Sequence, residues 1–286
     1  MALRFQQLWN VPWVMHLSDP WSDNPFTSFS GAAKIKNNNL ELECINAATI
    51  VTLTSEKAIE YYRTKYPECK SKFALLPNVF DEEDLNPIPL NCQQKAKFVF
   101  TGRLYGNRNV LALIHSIEQA AFRYTKFEDQ TDFIFAGFFD QVNIDRIVNS
   151  KLKNVKYLGP VSADAAMQLQ RSASVLISID ALSEDKIFEL FFPSKLLDYF
   201  AARRPILAIT GKHSTTHQIV ANKFGWCFEE DTLADLPDFL NAVTQALLHG
   251  NDDFFKFDNN PAQYGSNHNA EKLEKILHTV VNQNGK

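Results

Sequence analysis

The chain has 286 residues, of which 45% are hydrophobic and 12% aromatic, and its formal net charge is −4. The hydrophobic content excludes a disordered chain, and the length is sufficient for two domains that each bury their own core. The negative net charge excludes a global basic field that would hold nucleic acid or an anionic membrane, so we expect no nucleic-acid partner.

The cysteines lie far apart in the sequence and form no CxxC pair: Cys44, Cys69, Cys92 and Cys227. This spacing predicts free thiols in a reducing compartment. The apolar run Val11–Leu17 near the start is interrupted by Pro12 and His16, and it is too short for a signal peptide or a membrane span. A cytoplasmic location is therefore the expectation.

The pattern of the first part of the chain predicts a β-α-β arrangement followed by a linker. Three apolar runs, Val11–Leu17, Ala47–Leu53 and Phe73–Leu76, are typical of buried strands. A helix is predicted over Ser55–Tyr66, and the Asn37–Asn39 run is predicted to be a loop. The linker is Asn86–Asn91, which contains two prolines and has no periodicity.

After the linker, strands and helices alternate regularly. The predicted strands are 97–101, 132–136, 155–158, 174–179, 205–209 and 226–229, and the predicted helices are 110–124, 144–149, 163–172, 194–202, 215–223, 235–248 and 270–282. This alternation predicts an α/β fold with a doubly wound parallel sheet.

One motif is a strand that runs into Gly102 and Arg103, with Arg108 five residues further along the chain. A guanidinium group matches the geometry of a phosphate, and two cations can neutralise the charge on a departing diphosphate. The motif therefore indicates a diphosphate clamp. The alternative is a plain turn with solvated cations.

The most informative segment is Phe191–Ile209, in which Pro193, Ser194, Lys195 and Leu196 open an apolar helix that ends before Pro205 and a buried strand. A helix start of this kind presents backbone N–H groups and a positive dipole to an anion. The alternative is a helix that Ser194 merely caps. Asp198 follows one turn later and is predicted to face the same cleft, unless it is a solvated acid that pairs with Lys195 or Arg204.

These two motifs together resemble the carboxy-terminal domain of the GT-B glycosyltransferases, family 4 in particular. The resemblance implies two Rossmann-like domains, with residues 1–90 as a partial acceptor-side domain and residues 91–265 as the domain that binds the nucleotide-sugar donor. A last helix over 266–284 would pack back on the first domain. The implied reaction transfers a sugar from a nucleotide-diphosphate sugar to a saccharide or lipid-linked acceptor in polysaccharide or cell-envelope synthesis, with retention of configuration and without a metal.

The resemblance also implies roles for single residues. Arg103, Arg108 and the helix start at Ser194 would hold the diphosphate, and Asp198 would hold the ribose. Gly102, Gly137 and Val161 would border the donor, and Asp19 in the Ser18–Trp21 segment would orient an acceptor hydroxyl unless it caps a turn. The family has a second acid where this chain has Leu190, and Glu189 stands one place away as the candidate for that role.

Three further expectations concern partners, alternatives and metals. The family has several βα units before the segment that resembles Pro12–Trp21, so the strand Val11–Leu17 is expected to have an unpaired edge that takes a partner chain or a second copy. The alternative functions are a nucleotide-binding subunit without turnover and a sugar-nucleotide epimerase. His213 and His217 have helical i,i+4 spacing but no third ligand nearby, so no metal site is predicted.

Overall fold

The computed structural model describes residues 1–27, 29–84, 95–258 and 260–283. The chain divides into two compact units. The first comprises Met1–Phe80, Asp185–Phe192 and the chain from Ala262 onward, and the second comprises Asp81–Glu184 and Pro193–Pro261. The segment Asp185–Phe192 thus belongs to the first unit, although the ranges 1–90 and 91–265 expected from the sequence assign it to the second. The predicted linker Asn86–Asn91 lies outside the described residues.

The helices and strands have the following bounds in chain order: α1 Ala2–Trp9, β1 Val14–Leu17, α2 Gly31–Ala47, β2 Ile50–Leu53, α3 Glu56–Lys65, β3 Phe73–Leu75, β4 Ala96–Leu104, α4 Leu111–Arg123, α5 Phe127–Gln130, β5 Thr131–Phe139, α6 Gln141–Asn149, β6 Val155–Tyr157, α7 Ala163–Ser172, β7 Val175–Ile179, α8 Lys195–Ala202, β8 Ile206–Ile209, α9 Thr215–Val220, β9 Gly225–Phe228, α10 Leu236–Leu248 and α11 Ser266–Gln283. The predicted alternation of strands and helices is confirmed.

The first unit contains a three-stranded parallel sheet in the order β1-β2-β3. The strand predicted over Val11–Leu17 is confirmed for Val14–Leu17, which pairs with β2 from Val14↔Ile50 to Leu17↔Leu53. β1 lies at the edge of this sheet. The core of the unit is built from alternate strand residues such as Val51 and Leu53 and from the buried faces of α2 and α3.

Two features of the first unit were not predicted from the sequence. The Asn37–Asn39 run lies inside α2 and is not a loop, because tertiary contacts override the low helix propensity of asparagine. Asn37, for example, accepts a hydrogen bond from Trp21 Nε1 at 3.1 Å. Helix α1 is the second feature: none of its residues is fully buried, although Leu3 packs against the core of the unit.

The second unit contains a six-stranded parallel sheet in the order β6-β5-β4-β7-β8-β9, as the doubly wound prediction requires. Phe98 of β4 and Phe133 of β5 stack with ring centroids 4.5 Å apart in a core that α4 and α10 cover. Thr101 of β4 accepts a hydrogen bond from Gln170 of α7 at 2.8 Å. Because Phe100 and Thr101 point to opposite faces of the strand, helices cover both faces of the sheet.

The order of strands reverses between β4 and β7, and this is the place where a doubly wound sheet opens. The two strands pair only at Phe98↔Val175 and Val99↔Leu176. Beyond these pairs the hydroxyl of Tyr199 on α8 bridges the two strands. It accepts a hydrogen bond from the Thr101 amide of β4 at 3.2 Å and donates one to the Ile177 carbonyl of β7 at 3.0 Å. The strands therefore diverge toward their carboxyl ends, where a ligand can enter.

Candidate functional site

The candidate site lies in the second unit, at the carboxyl edge of its sheet. Gly102 and Arg103 are near the end of β4, Asp180 follows β7 directly, and Lys195 begins α8. Parallel strands place their carboxyl ends at one edge of the sheet, so these residues converge although they are far apart in sequence.

Gly102 and Gly137 are aligned in the β4–β5 register. Their φ angles are 128° and 133°, which residues with a side chain rarely adopt. A Cβ atom on Gly137 would lie 1.8 Å from the Gly102 carbonyl oxygen, so the backbone itself requires glycine at this position. The predicted contact of Gly137 with the donor stays a prediction.

The two arginines of the predicted clamp follow β4 closely. Arg103 is exposed, and its Cζ lies 5.5 Å from the centroid of the Phe138 ring. Arg108 is half-buried, and its Cζ lies 5.9 Å from the ring of Tyr105. The Arg108 amide donates to the Tyr105 carbonyl at 3.1 Å, and the Arg108 carbonyl accepts from Asn143 at 3.3 Å. Backbone hydrogen bonds therefore help to hold the intervening loop in place.

Helix α8 begins at Lys195, directly after Pro193 and Ser194, as the sequence predicts, but some of its first amides already donate hydrogen bonds within the chain. Leu196 N–H donates to the Pro193 carbonyl and Leu197 N–H to the Ser194 carbonyl, both at 3.0 Å. The Ser194 hydroxyl is exposed and does not cap the helix. Ser194 therefore does not play the purely capping role that was the alternative, and the Leu196 amide already has a partner.

The side chain of Lys195 is an unexpected feature of the site. Its stem is partly exposed, but its Nζ is buried and has no hydrogen-bond partner among the described residues. Nζ lies 4.0 Å from the centroid of the Phe100 ring. Burial lowers the pKa of Lys195 to about 7, with Asp180 raising it and Arg108 lowering it further. The sequence predicted a cation at this position but not its burial.

Asp180 is a polar residue of the site that the sequence analysis missed. Its Oδ2 accepts from Thr210 Oγ1 at 2.8 Å, and Ser214 Oγ lies 2.7 Å from the same threonine oxygen. Oδ1 of Asp180 is buried without a hydrogen-bond partner within the described ranges. An acid directly after a buried strand of an α/β sheet was the signal that could have identified it.

Asp198 lies on α8 and lines a cavity of about 170 Å³ between α7 and α8, together with Ala163 and Met167. Val161 is half-buried two residues before α7 begins. Arg204, an alternative partner of Asp198, instead donates to the Arg171 carbonyl at 3.1 and 2.6 Å. Asp198 therefore borders a small cavity next to the first turn of α7, and its contact with the ribose stays a prediction.

Asp19, Glu189 and Leu190 belong to the first unit. Asp19 is exposed and follows β1. Glu189 is half-buried in a 3₁₀ turn over Lys186–Leu190. Leu190, which stands where the family has an acid, is 6% exposed, and its carbonyl accepts from Ser55 Oγ at 3.1 Å. A carboxylate at this buried position would need a hydrogen-bond or ion-pair partner, whereas leucine needs none.

Glu189 lines a cavity of about 860 Å³ in the first unit. Asp23 on its wall accepts from Tyr61 Oη at 2.5 Å and from Lys65 Nζ at 2.5 Å. Burial alone would raise the pKa of Asp23, but these two hydrogen bonds hold it below its ordinary value. The wall also includes Lys57, Glu60 and Phe29, so it combines carboxylates, amines and aromatic rings.

Two observations concern metals and membranes. Among the described residues no group of three His, Cys, Asp or Glu side chains could hold a metal ion. His217 Nε2 lies 2.7 Å from Glu229 Oε1, so this ring nitrogen has a carboxylate neighbour in the described structure. No helix within the described part of the chain is both long enough and apolar enough to cross a membrane.

Comparison with known proteins finds similarity only at the level of structure. No protein-family model matches the chain, and no curated protein sequence matches it significantly. HepE from Anabaena, solved with UDP and glucose, is similar with a TM-score of 0.66 and 14% identity over 97% of this chain and 74% of that chain. A sucrose-phosphate synthase from Thermosynechococcus elongatus is similar with a TM-score of 0.68 and 13% identity over 99% and 71%.

The pneumococcal O-GlcNAc transferase GtfA, solved with UDP and GlcNAc, is similar with a TM-score of 0.65 and 12% identity over 98% of this chain. The match spans only 54% of the GtfA chain. At these identities the likeness establishes the fold. The chain therefore has the GT-B fold of these glycosyltransferases, with parallel doubly wound architecture in its second unit.

Proposed function

We propose that this protein transfers a sugar from a nucleotide-diphosphate sugar to a saccharide acceptor in polysaccharide or cell-envelope synthesis. The observation that carries the proposal is the convergence of Arg108, Lys195 and the start of α8 at the switch point of the second sheet. Support comes from solved structures of the same fold, since HepE was solved with UDP-glucose and GtfA with UDP and GlcNAc.

The chemistry of the proposal concerns charge. When the bond between the sugar and the diphosphate breaks, negative charge grows on the leaving group, and fixed positive groups stabilise it. Arg103 and Arg108 supply guanidinium groups, and the α8 start supplies its dipole. In this proposal these groups neutralise the charge that a metal ion neutralises in other enzymes. We therefore expect the rate of sugar transfer to be unchanged when EDTA is added. Asp198 binds the ribose hydroxyls, and Gly102, Gly137 and Val161 border the donor.

We place the saccharide acceptor in the cavity of the first unit. Its wall of Asp23, Glu60, Lys57 and Tyr61 offers donors and acceptors to sugar hydroxyls, and Phe29 offers an apolar ring. Asp19 and Glu189 belong to the same unit. A lipid-linked acceptor, attachment to the inner face of a membrane and a partner chain at the β1 edge are further proposals. A mass that rises with protein concentration and falls in Val14→Pro would support the last, because the Trp13 carbonyl faces β2 and the amide of Val14, the first residue of β1, therefore faces away from it.

The acceptor site has a direct test by saturation-transfer NMR with glucose and with N-acetylglucosamine. We expect saturation transfer to one of these sugars in the wild type and a several-fold weaker signal in Glu60→Gln, since an exposed carboxylate accepts two sugar hydrogen bonds. Glu118→Gln, which changes an exposed acid of the second unit, serves as the control. Equal signals in all three proteins would remove the cavity from the proposal.

A second candidate function is a nucleotide-binding subunit without turnover. The observation that favours it is the buried Leu190 in place of the family's acid. Transfer or hydrolysis of a nucleotide sugar by the isolated chain excludes this alternative, whereas binding of nucleotide without turnover supports it. A sugar-nucleotide epimerase would require catalytic acids together with histidines, whereas the described residues assigned to the candidate site of the second unit include Asp180 but no histidine.

The donor site is tested by calorimetric titration with UDP, GDP and ADP. We expect at least one of them to bind the wild type and Arg103→Ala to bind it roughly tenfold to a hundredfold more weakly, because hydrogen bonds to charged groups contribute about 1.5–3 kcal/mol. Lys223→Ala is the matched control, since this exposed cation lies just before β9 at the opposite edge of the same sheet. Equal affinity in wild type and Arg103→Ala would exclude Arg103 from the site.

A further inference from the structure

We propose that Lys195 is itself a phosphate-binding residue, which supplies a third cation from within the opening between β4 and β7. The inference rests on the proposed function, because it adds a contact to the same donor site. It goes beyond the helix-start motif, in which the backbone of residues 193–196 and the Ser194 hydroxyl hold the anion.

The first step of the argument is where the side chain lies. Helix α8 lies beside α7, and Gln170 of α7 bonds to the Thr101 hydroxyl on one face of β4. Nζ of Lys195 instead lies over the ring of Phe100, which points to the opposite face. The lysine stem passes Gly102, whose hypothetical Cβ would be 3.8 Å from Lys195 Cε. Lys195 therefore reaches through the gap in which β4 and β7 no longer pair.

The second step is that Nζ is buried without a hydrogen-bond partner in the described structure. A lysine that served only to pack its stem would keep its head in water, because burying an unpaired ammonium costs free energy. The Phe100 ring alone offers only a weak cation–π contact. The burial of Lys195 Nζ without a partner at the carboxyl edge of the sheet is thus explained if a bound anion accepts its hydrogen bonds.

The third step concerns the charges that face Nζ. They come from Arg108 in the loop after β4 and from Asp180 after β7. On α8 itself, the Tyr199 hydroxyl is engaged by the Thr101 amide and the Ile177 carbonyl. Burial and Arg108 favour the uncharged amine in the empty protein, and Asp180 opposes them. A bound diphosphate adds negative charge close to the amine and reverses this balance. Binding should therefore draw a proton onto Lys195.

The experiment is calorimetry with whichever of UDP, GDP and ADP binds the wild type, in buffers of different ionisation enthalpy at pH values below and above 7. We expect the wild type to take up part of a proton above this pH and to bind more weakly as the pH rises. Lys195→Met should bind at least about tenfold more weakly. Lys195→Arg keeps a permanent charge, so it should retain most of the affinity. Phosphate groups of the nucleotide also titrate near neutrality and take part in proton exchange in every variant. Lys195→Arg should therefore show only the proton uptake of the nucleotide, without the additional uptake that the wild type shows.

The outcomes separate this inference from the proposed function. If none of the three nucleotides binds the wild type, both the donor site and the role of Lys195 are wrong. If a nucleotide binds, and Lys195→Met has wild-type affinity or Lys195→Arg has wild-type proton uptake, only the role of Lys195 is wrong. Should Lys195→Met fail to fold, the comparison between the wild type and Lys195→Arg decides the question alone.

Discussion

Replacing Gly137 by alanine is expected to destabilise the second unit severely. The new Cβ would lie 1.8 Å from the Gly102 carbonyl oxygen and 2.8 Å from its carbonyl carbon, both backbone atoms of the paired strand. The φ of 133° adds strain for any residue with a side chain. We expect a loss of at least about 3 kcal/mol in the free energy of unfolding, because strain at such an angle and overpacking each cost about 1–3 kcal/mol.

The matched control for this prediction is Gly211→Ala. Gly211 follows β8 by two residues at the same edge of the sheet, and a Cβ there would meet no atom within 4 Å. We expect Gly211→Ala to change the urea midpoint only slightly, whereas Gly137→Ala shifts it strongly or prevents folding. If both variants unfold at the same urea concentration as the wild type, the backbone of β4 does not approach Gly137 closely enough to exclude a Cβ atom.

The second large effect is expected from Glu41→Ala in the first unit. Glu41 is fully buried and accepts hydrogen bonds from Lys65 at 2.7 Å, Tyr62 at 2.6 Å and Tyr66 at 2.7 Å, and also from Ser22. Its removal leaves these donors without their shared acceptor. We expect a loss of about 3–5 kcal/mol in the free energy of unfolding, which is typical when one member of a buried ion pair is removed.

Glu43→Ala, two residues along the same helix, is the control for Glu41→Ala. Glu43 is exposed and accepts one hydrogen bond, from Gln7 at 3.2 Å. We expect its loss to change stability by less than about 1 kcal/mol. Denaturant unfolding followed by circular dichroism measures both variants, and a Glu41→Ala protein as stable as Glu43→Ala would contradict the role of the network.

The same network gives the first unit a defined response to acid. Burial by itself raises the pKa of Glu41, but the hydrogen bonds from Lys65, Ser22, Tyr62 and Tyr66 outweigh it and hold this pKa below its ordinary value. A lowered pKa means that the stabilisation is complete above the ordinary value of 4.5 and is lost as the pH falls through the folded value. Stability measured from neutral to acid pH should therefore fall more steeply in the wild type than in Glu41→Ala.

Much of this fold is encoded locally, and the sequence predicts that part well. The alternation of apolar runs with amphipathic helices follows from side-chain periodicity within each segment, and it identifies the doubly wound sheet. The Gly102–Arg103 strand end and the Pro193–Leu196 helix start are likewise visible because turn and cap chemistry depends on neighbouring residues. The order of these segments also led to the GT-B resemblance, which the structural comparisons support at the level of fold.

What the sequence could not determine depends on contacts between distant segments. Asn37–Asn39 became helical because of its packing, and the segment that carries Glu189 joined the first unit and not the second. The burial of Lys195 against Phe100 and the presence of Asp180 in the site follow from the place where two non-consecutive strands separate. Periodicity and spacing report the conformation of each segment, whereas burial and charge at a site are decided only when segments from across the chain exclude water together.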